Sequence, residues 1–404
     1  MKNIVVISQD RNPTGINVGA NILYNGINPN ENGYRVHCLY HQRGKDYILV
    51  DSEGFEKTVP DTDQAVSLVR EVVKGEDAII QSHMYQPFAN KFTDAAERHY
   101  MTELRRGGRD PLVYSNQYLY VWAALKDPRN NKIKGLAKLL NKVNEKKLAE
   151  RYKKQAIARY IERWMDMSDR VVYVSNHARR VYSDLYPQYA NKSLVIGLGT
   201  DFINYRDDYE VEKKARELKR KYGDRANILY AGRITKPKGV GDLIKAFKIL
   251  NRKYDGFRLV VVGTGDNSIE VDRKSYKLIR NGSIIFPGEI EDRKEMAAWY
   301  KNSFVALMPT YHETFSRFAI EAMSMGTPVI ISNVDGPKEL FVERDIAIGV
   351  EPGNYRGIAK AIEHVLINPR ETLERSKRAL TAVKERFSQE SHVKSFMALY
   401  DELL

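Results

Sequence analysis

Short runs of β-branched and aliphatic residues punctuate the chain, each followed by a loop and a longer stretch at helical spacing. In the first half they are NIVVIS (3–8), AIIQSH (78–83), LVYSN (112–116), RVVYVS (170–175) and SLVIG (193–197). This is the rhythm of a parallel sheet with crossover helices. It then repeats, as NILYAG (227–232), RLVVVG (258–263), SIIFPG (283–288), FVALMP (304–309) and PVIIS (328–332). Two doubly wound α/β domains follow, which suits 404 residues at roughly 200 per domain. The polar, turn-rich segment GLGTDFINYRDDYE, Gly197 to Glu210, marks the join, and SHVKSFMALYDELL at 391–404 reads as an amphipathic helix.

Apolar residues make up 43% and charged residues 29%, which excludes a disordered chain. The single cysteine, Cys38, rules out an internal disulfide, and no Cys/His spacing resembles a structural zinc site. A reducing, cytoplasmic compartment is therefore expected. The opening MKNIVVISQD has too short an apolar run for a secretion signal, and no window approaches the ~18 apolar residues of a membrane span.

A formal net charge of +13 points either to an anionic partner or simply to solubility. Between Lys126 and Arg163 there are thirteen Lys/Arg against four Asp/Glu, with Leu136, Leu139, Leu140, Val143 and Leu148 at near-helical spacing and Tyr160, Ile161 and Trp164 beyond. That is a basic amphipathic helix. A solvated surface helix, a seat on the anionic inner face of a membrane and a grip on nucleic acid all remain open, with the apolar residues favouring the membrane over nucleic acid.

The stretch YHETFSRFAIEAMSMGTPVIIS, Tyr311 to Ser332, carries the most chemistry. A helix is expected from about Ser316 to Met325, stopped by Gly326 and Pro328. At ~1.5 Å per residue, Glu313 and Glu321 would lie roughly 12 Å apart if both were helical. That is wider than the ~5 to ~9.5 Å between the carboxyl pairs of glycosidases, so a hydrolytic acid/base pair is disfavoured. Glu313 instead falls on the loop after a strand, beside the amides of Thr314, Phe315 and Ser316 at the positive end of a helix, a seat for a phosphate or sugar hydroxyls. Glu321, about two turns in, is positioned to accept hydrogen bonds from a diol such as a ribose. By themselves the two glutamates are more readily read as ordinary helix-start carboxylates.

ETFSRFAIEAMSMGTPVI resembles the signature of GT-B glycosyltransferases of the large retaining family 4, group 1 glycosyl transferases. The resemblance implies two Rossmann-like domains facing a central cleft, with Glu313 at the donor hexose and Glu321 at the ribose. Ser316 stands where the family usually has glycine. YAGRITKPKGVGDLIKAF (230–247) is similar to the family segment in which Arg233 and Lys238 would grip the diphosphate. VVVGTGDN, with Gly263, matches the next strand end, and in FPGEIEDRKEMAAWYK the positions Glu289 and Ile290 would lie by the base. NVDGPKELF resembles the loop after the signature helix. The implied division is 1–200 as an acceptor-side domain, 201–385 as the donor domain, and a helix at about 386–404 packing back on the first.

In the first domain NPTGINVGANIL (12–23) takes the place of the family's glycine-rich loop, with Gly15 near the donor phosphate. DAIIQSHMYQP ends a strand at His83, a candidate catalytic residue or a structural histidine. Where many members carry a histidine, DPLVYSNQYLY has Gln117 beside Asn116. Glutamine hydrogen-bonds a sugar hydroxyl but is no base. The family's retaining mechanism, in which the leaving diphosphate takes the acceptor proton, tolerates that substitution.

The expected activity is transfer of a hexose from a nucleoside-diphosphate sugar, UDP-sugars first, to an acceptor hydroxyl, with no cofactor and no essential metal. Glu313, Arg233, Lys238 and His83 are the catalytic candidates. The acceptor is expected to be a lipid-linked or cell-envelope glycan. The alternatives are a phage-type DNA-base glucosyltransferase and a nucleotide-sugar-binding protein without turnover. A dinucleotide dehydrogenase fits less well, since neither glycine pair completes Gly-x-Gly-x-x-Gly with an acid about 20 residues on.

Overall fold

The computed structural model describes residues 2–8, 26–27, 33–41, 47–73, 76–82, 110–116, 161–162, 164–265 and 273–404. Its contacts divide the chain into two units, Met1–Gly197 with His392–Leu404, and Leu198–Ser391. In the first unit the strands are β1 (Lys2–Ser8), β2 (Tyr34–His41), β3 (Tyr47–Val50), β4 (Glu56–Val59), β5 (Ala78–Ser82), β6 (Leu112–Asn116), β7 (Arg170–Tyr173) and β8 (Ser193–Val195). They form one sheet of order β4-β3-β2-β1-β5-β6-β7-β8. All neighbours run parallel except β3, which pairs antiparallel with both β2 and β4.

Side chains alternate across β1, and both faces are covered. Val5 and Ile7 join Leu39, Ile80 and Tyr173 under helix α1 (Thr62–Val73), which contributes Ala65, Val66, Leu68 and Val69. Ile161, Trp164 and Met165, at the end of the basic stretch, pack into the same side. Helix α2 (Asn176–Leu185), capped by the Ser175 side chain, adds Ala178 and Tyr182. On the other face Ile4 and Val6 meet Val36, Cys38, Ile79, Val113 and Val172. Burial on both faces explains why β1, β5 and β7 read as continuous apolar runs.

The second unit opens with α3 (Tyr209–Tyr222), capped by Asp208, and its elements follow as β9 (Ala226–Ala231), α4 (Val240–Lys253), β10 (Phe257–Val262), α5 (Arg273–Arg280), β11 (Ile284–Gly288), α6 (Arg293–Lys301), β12 (Ser303–Met308), α7 (Arg317–Ser324), β13 (Val329–Ser332), β14 (Ile348–Val350), α8 (Tyr355–Ile367) and α9 (Pro369–Arg386). The sheet is wholly parallel, of order β11-β10-β9-β12-β13-β14, the doubly wound 3-2-1-4-5-6 arrangement. All six residues of β10 and all four of β13 are buried. The last helix, α10 (Gln389–Leu403), returns the chain to the first unit, where Val393, Phe396, Leu399 and Tyr400 pack on the β1 face that carries Ile4 and Val6. Its Tyr400 hydroxyl donates to Gln81 in β5, and Asp401 accepts from the Tyr34 hydroxyl at 2.8 Å.

Candidate active site in the second unit

In a sheet of this order ligands bind outside the carboxyl ends of the strands where the order reverses. That point lies between β9 and β12. The chain leaving β9 carries Arg233 and Lys238, and the chain leaving β12 carries His312 and Glu313.

Glycine lets these loops approach. Lys238 ends a single 3₁₀ turn, Lys236–Lys238, and Gly239 follows at φ 72°. A β-carbon on Gly239 would lie 1.9 Å from the Pro309 carbonyl oxygen, so no other residue lets the two loops touch. The Tyr311 amide then donates to the Pro237 carbonyl at 2.9 Å. On the other side a β-carbon on Gly263, at φ 123°, would sit 2.2 Å from the Gly232 carbonyl oxygen. There the Gly232 amide donates to Val262 and the Ile234 amide to Thr264, at 3.0 and 2.8 Å.

The closure of the first pair brings Lys238 and Glu313 together. Lys238 Nζ lies 2.8 Å from Glu313 Oε2, with the side chains 14% and 17% exposed, so solvent screens this ion pair only weakly. The other carboxylate oxygen, Oε1, accepts from the Thr314 amide at 3.1 Å. The Glu313 main chain is held from behind by the turn after β13. Its amide donates to Asp335 Oδ2 at 3.4 Å, and its carbonyl accepts from the Gly336 amide at 3.2 Å. Arg233 is exposed, and its guanidinium forms no ion pair with a described residue, while its carbonyl accepts from the Tyr230 hydroxyl at 2.7 Å.

Helix α7 begins at Ser316, whose φ of 88° falls in the region that favours glycine. Its hydroxyl accepts from the Ala319 amide at 3.3 Å and so caps the helix. The backbone thus gives a physical reason for a glycine at this place, and serine recovers part of the strain by capping. Phe315 anchors the helix start from the core, its ring packed edge-on against Phe341 and Phe387 at 5.9 and 5.7 Å. Only its main chain is left for a ligand.

Glu321 sits in a separate polar cluster. Its Oε2 accepts from the Tyr300 hydroxyl of α6 at 3.0 Å, and Arg317 Nε lies 3.9 Å from Oε1. Burial pushes the Glu321 carboxyl above its ordinary value, while Arg317 and Arg293 pull it back; Arg293 is itself paired with Asp201. Burial, with the Glu321 charge added, likewise drives the Tyr300 hydroxyl well up. Tyr300, Arg293 and Asp335 were not among the sequence candidates. The first two lie on the helix before β12, inside the FPGEIEDRKEMAAWYK segment but past the positions assigned to the base, and Asp335 lies in the NVDGPKELF loop without a role assigned to it.

Of the remaining candidates, Gly263 donates its amide to Gly288 at 2.7 Å, and Glu289 (exposed) and Ile290 (half-buried) follow Gly288 on the same edge of the sheet. Asn116 is the last residue of β6. Gly15, His83, Gln117 and, within the basic segment, residues 126–160 and 163 lie outside the described residues. Among the described residues no three His, Cys, Asp or Glu side chains gather as a metal site, and no helix is long and apolar enough to cross a membrane.

Two Rossmann-like units in one chain, the second with its polar residues at the switch point, define the GT-B fold class. Solved structures agree along the whole chain. Sucrose-phosphate synthase from Thermosynechococcus elongatus superposes with a TM-score of 0.69 at 20% identity, covering 100% of this chain and 99% of that one. Anabaena Alr3699/HepE in complex with UDP-glucose does so at 0.66 and 14% identity, covering 100% of both. Residues 211–382 match the family model described as glycosyl transferases group 1. The capsular polysaccharide biosynthesis glycosyltransferase CapM of Staphylococcus aureus is 30% identical over 222 residues, 53% of this chain and 56% of that protein. A glycogen synthase of Mycobacterium tuberculosis is 32% identical over 157 residues, 38% and 37% of the two chains. The chain thus spans about half or less of the length of these curated relatives.

Proposed function

We propose that the protein is a retaining, metal-independent glycosyltransferase that moves a hexose from a nucleoside-diphosphate sugar, a UDP-sugar first, to an acceptor hydroxyl. The observation that carries this is the meeting of Lys238 and Glu313 at the switch point, with the exposed Arg233 on the same loop. One cation paired with a carboxylate, and a second exposed cation on the same loop, suit a diphosphate next to a sugar. Arg233 and Lys238 would bind the diphosphate and stabilise the charge that grows on it as the bond from the sugar C1 to the β-phosphate oxygen breaks. The acceptor oxygen bonds to C1 on the same face, and its proton passes to the leaving phosphate. The two cations supply the charge neutralisation that a divalent ion gives elsewhere. Glu313 would orient the hexose hydroxyls, and Glu321, with Tyr300, the ribose. UDP-glucose in the HepE structure supports the donor class, and the similarity to CapM supports a cell-envelope glycan as acceptor. The proposal extends to a peripheral seat at the inner face of the membrane.

The test is release of UDP from a panel of UDP-sugars in the presence of a chelator, with Glu313→Ala alongside. Turnover should persist in chelator and fall by about 10²-fold or more in the variant. Full activity in Glu313→Ala refutes the assignment.

A further inference from the structure

We propose that Asp335 is a positioning residue for Glu313, an inference that rests on the reading of Glu313 as the hexose-side carboxylate. Asp335 adopts φ 42°, a left-handed conformation that glycine takes without cost and other residues take only with strain. An aspartate in such a place calls for a compensating contact, and the structure supplies two. Asp335 Oδ2 accepts the Glu313 amide at 3.4 Å and lies 3.6 Å from His312 Nδ1. The next amide, Gly336, donates to the Glu313 carbonyl at 3.2 Å. Both main-chain groups of Glu313 therefore end on one two-residue turn, whereas its carboxylate ends on Lys238 and Thr314.

The division has a consequence during the proposed reaction. A diphosphate that takes Lys238 removes the strongest partner of the Glu313 carboxylate. The main-chain amide and carbonyl of Glu313 are then still held by the Asp335–Gly336 turn, and the carboxylate turns to the sugar from a fixed base. Effective positioning depends on fractions of an ångström, so a loosened base should cost turnover more than donor binding.

The experiment uses the full chain with Asp335→Gly and Asp335→Asn. Glycine fits the backbone and removes the carboxylate; asparagine tolerates the same backbone and keeps an oxygen for the Glu313 amide. Asp335→Gly should melt at or above the wild-type temperature and bind UDP within about twofold, yet lose about tenfold in kcat for UDP-glucose with KM little changed. Hydrogen exchange in a peptide spanning 310–316 should quicken several-fold in the same variant, and Asp335→Asn should recover most of both losses. Wild-type turnover together with unchanged exchange in Asp335→Gly overturns the positioning role. If the wild-type protein turns over no nucleotide sugar, the proposed function fails, and the exchange measurement alone then decides whether Asp335 fixes Glu313.

Discussion

Replacing Glu313 by glutamine should tighten the binding of UDP while reducing sugar transfer. In the ligand-free protein the Glu313 carboxylate occupies Lys238 at 2.8 Å, with both side chains less than one-fifth exposed. A diphosphate arriving at Lys238 meets a negative charge about 5 Å away, the spacing of two anions that share one ammonium. Coulomb's law at an effective dielectric of about 20 gives roughly 3 kcal/mol of repulsion, and salt and partial exposure reduce this to about 1–2 kcal/mol. Glutamine keeps the shape and removes the charge. The expected gain is about 5- to 30-fold in UDP affinity, shrinking as salt is raised. Calorimetric titration of UDP into both proteins at two ionic strengths measures it. The double variant with Lys238→Met serves as control, because without the shared ammonium the gain should shrink. Equal or weaker UDP binding by Glu313→Gln would refute the competition for Lys238.

Three further outcomes follow from the same structure. Ser316→Gly should leave the second unit as stable as wild type or slightly more so, because relief of φ 88° offsets the lost cap; Ser316→Ala keeps the strain, loses the cap and should cost about 1 kcal/mol, both read by denaturant unfolding. His37 is buried in β2, and that burial lowers its pKa to about 4. The unfolded chain therefore takes up a proton between about pH 6.5 and 4 that the folded chain does not, and stability should fall as pH drops through that window by at most about 3 kcal/mol. His37→Gln should flatten this pH dependence, and an unchanged slope would count against it. Glu321 accepts from the Tyr300 hydroxyl and faces Arg317, so Glu321→Gln should weaken the binding of UDP-sugars, read by calorimetric titration; a variant that keeps full affinity removes Glu321 from the donor site.

The strands that carry the site were legible because parallel strands covered on both faces leave unbroken apolar runs, as in β9, β10 and β12. β2 was passed over because Arg35 and His37 interrupt it. Its signal was alternation, with Val36, Cys38 and Tyr40 in one core and Arg35, His37 and the oppositely buried Leu39 between. β4, with three exposed residues of four, and the three-residue β14 offer no such pattern. Arg233, Lys238, Glu313 and Glu321 were legible as motif positions. The contact between Lys238 and Glu313 was not, because it spans 75 residues and depends on a glycine lying against the carbonyl oxygen of a loop distant in sequence. Ser316 shows the same limit from another side. The sequence reveals a serine in a glycine's place, and only the backbone angle says why glycine belongs there.

The return of α10 to the first sheet sets the order in which the protein is made against the order in which it is finished. Residues 1–197 leave the ribosome first, yet one face of their core lacks Val393, Phe396, Leu399 and Tyr400 until those residues have been made. The second unit, Leu198–Ser391, is complete before that moment. During synthesis the first unit therefore lacks these four side chains on that sheet face while its successor is made, an exposure of apolar surface of the kind that favours aggregation.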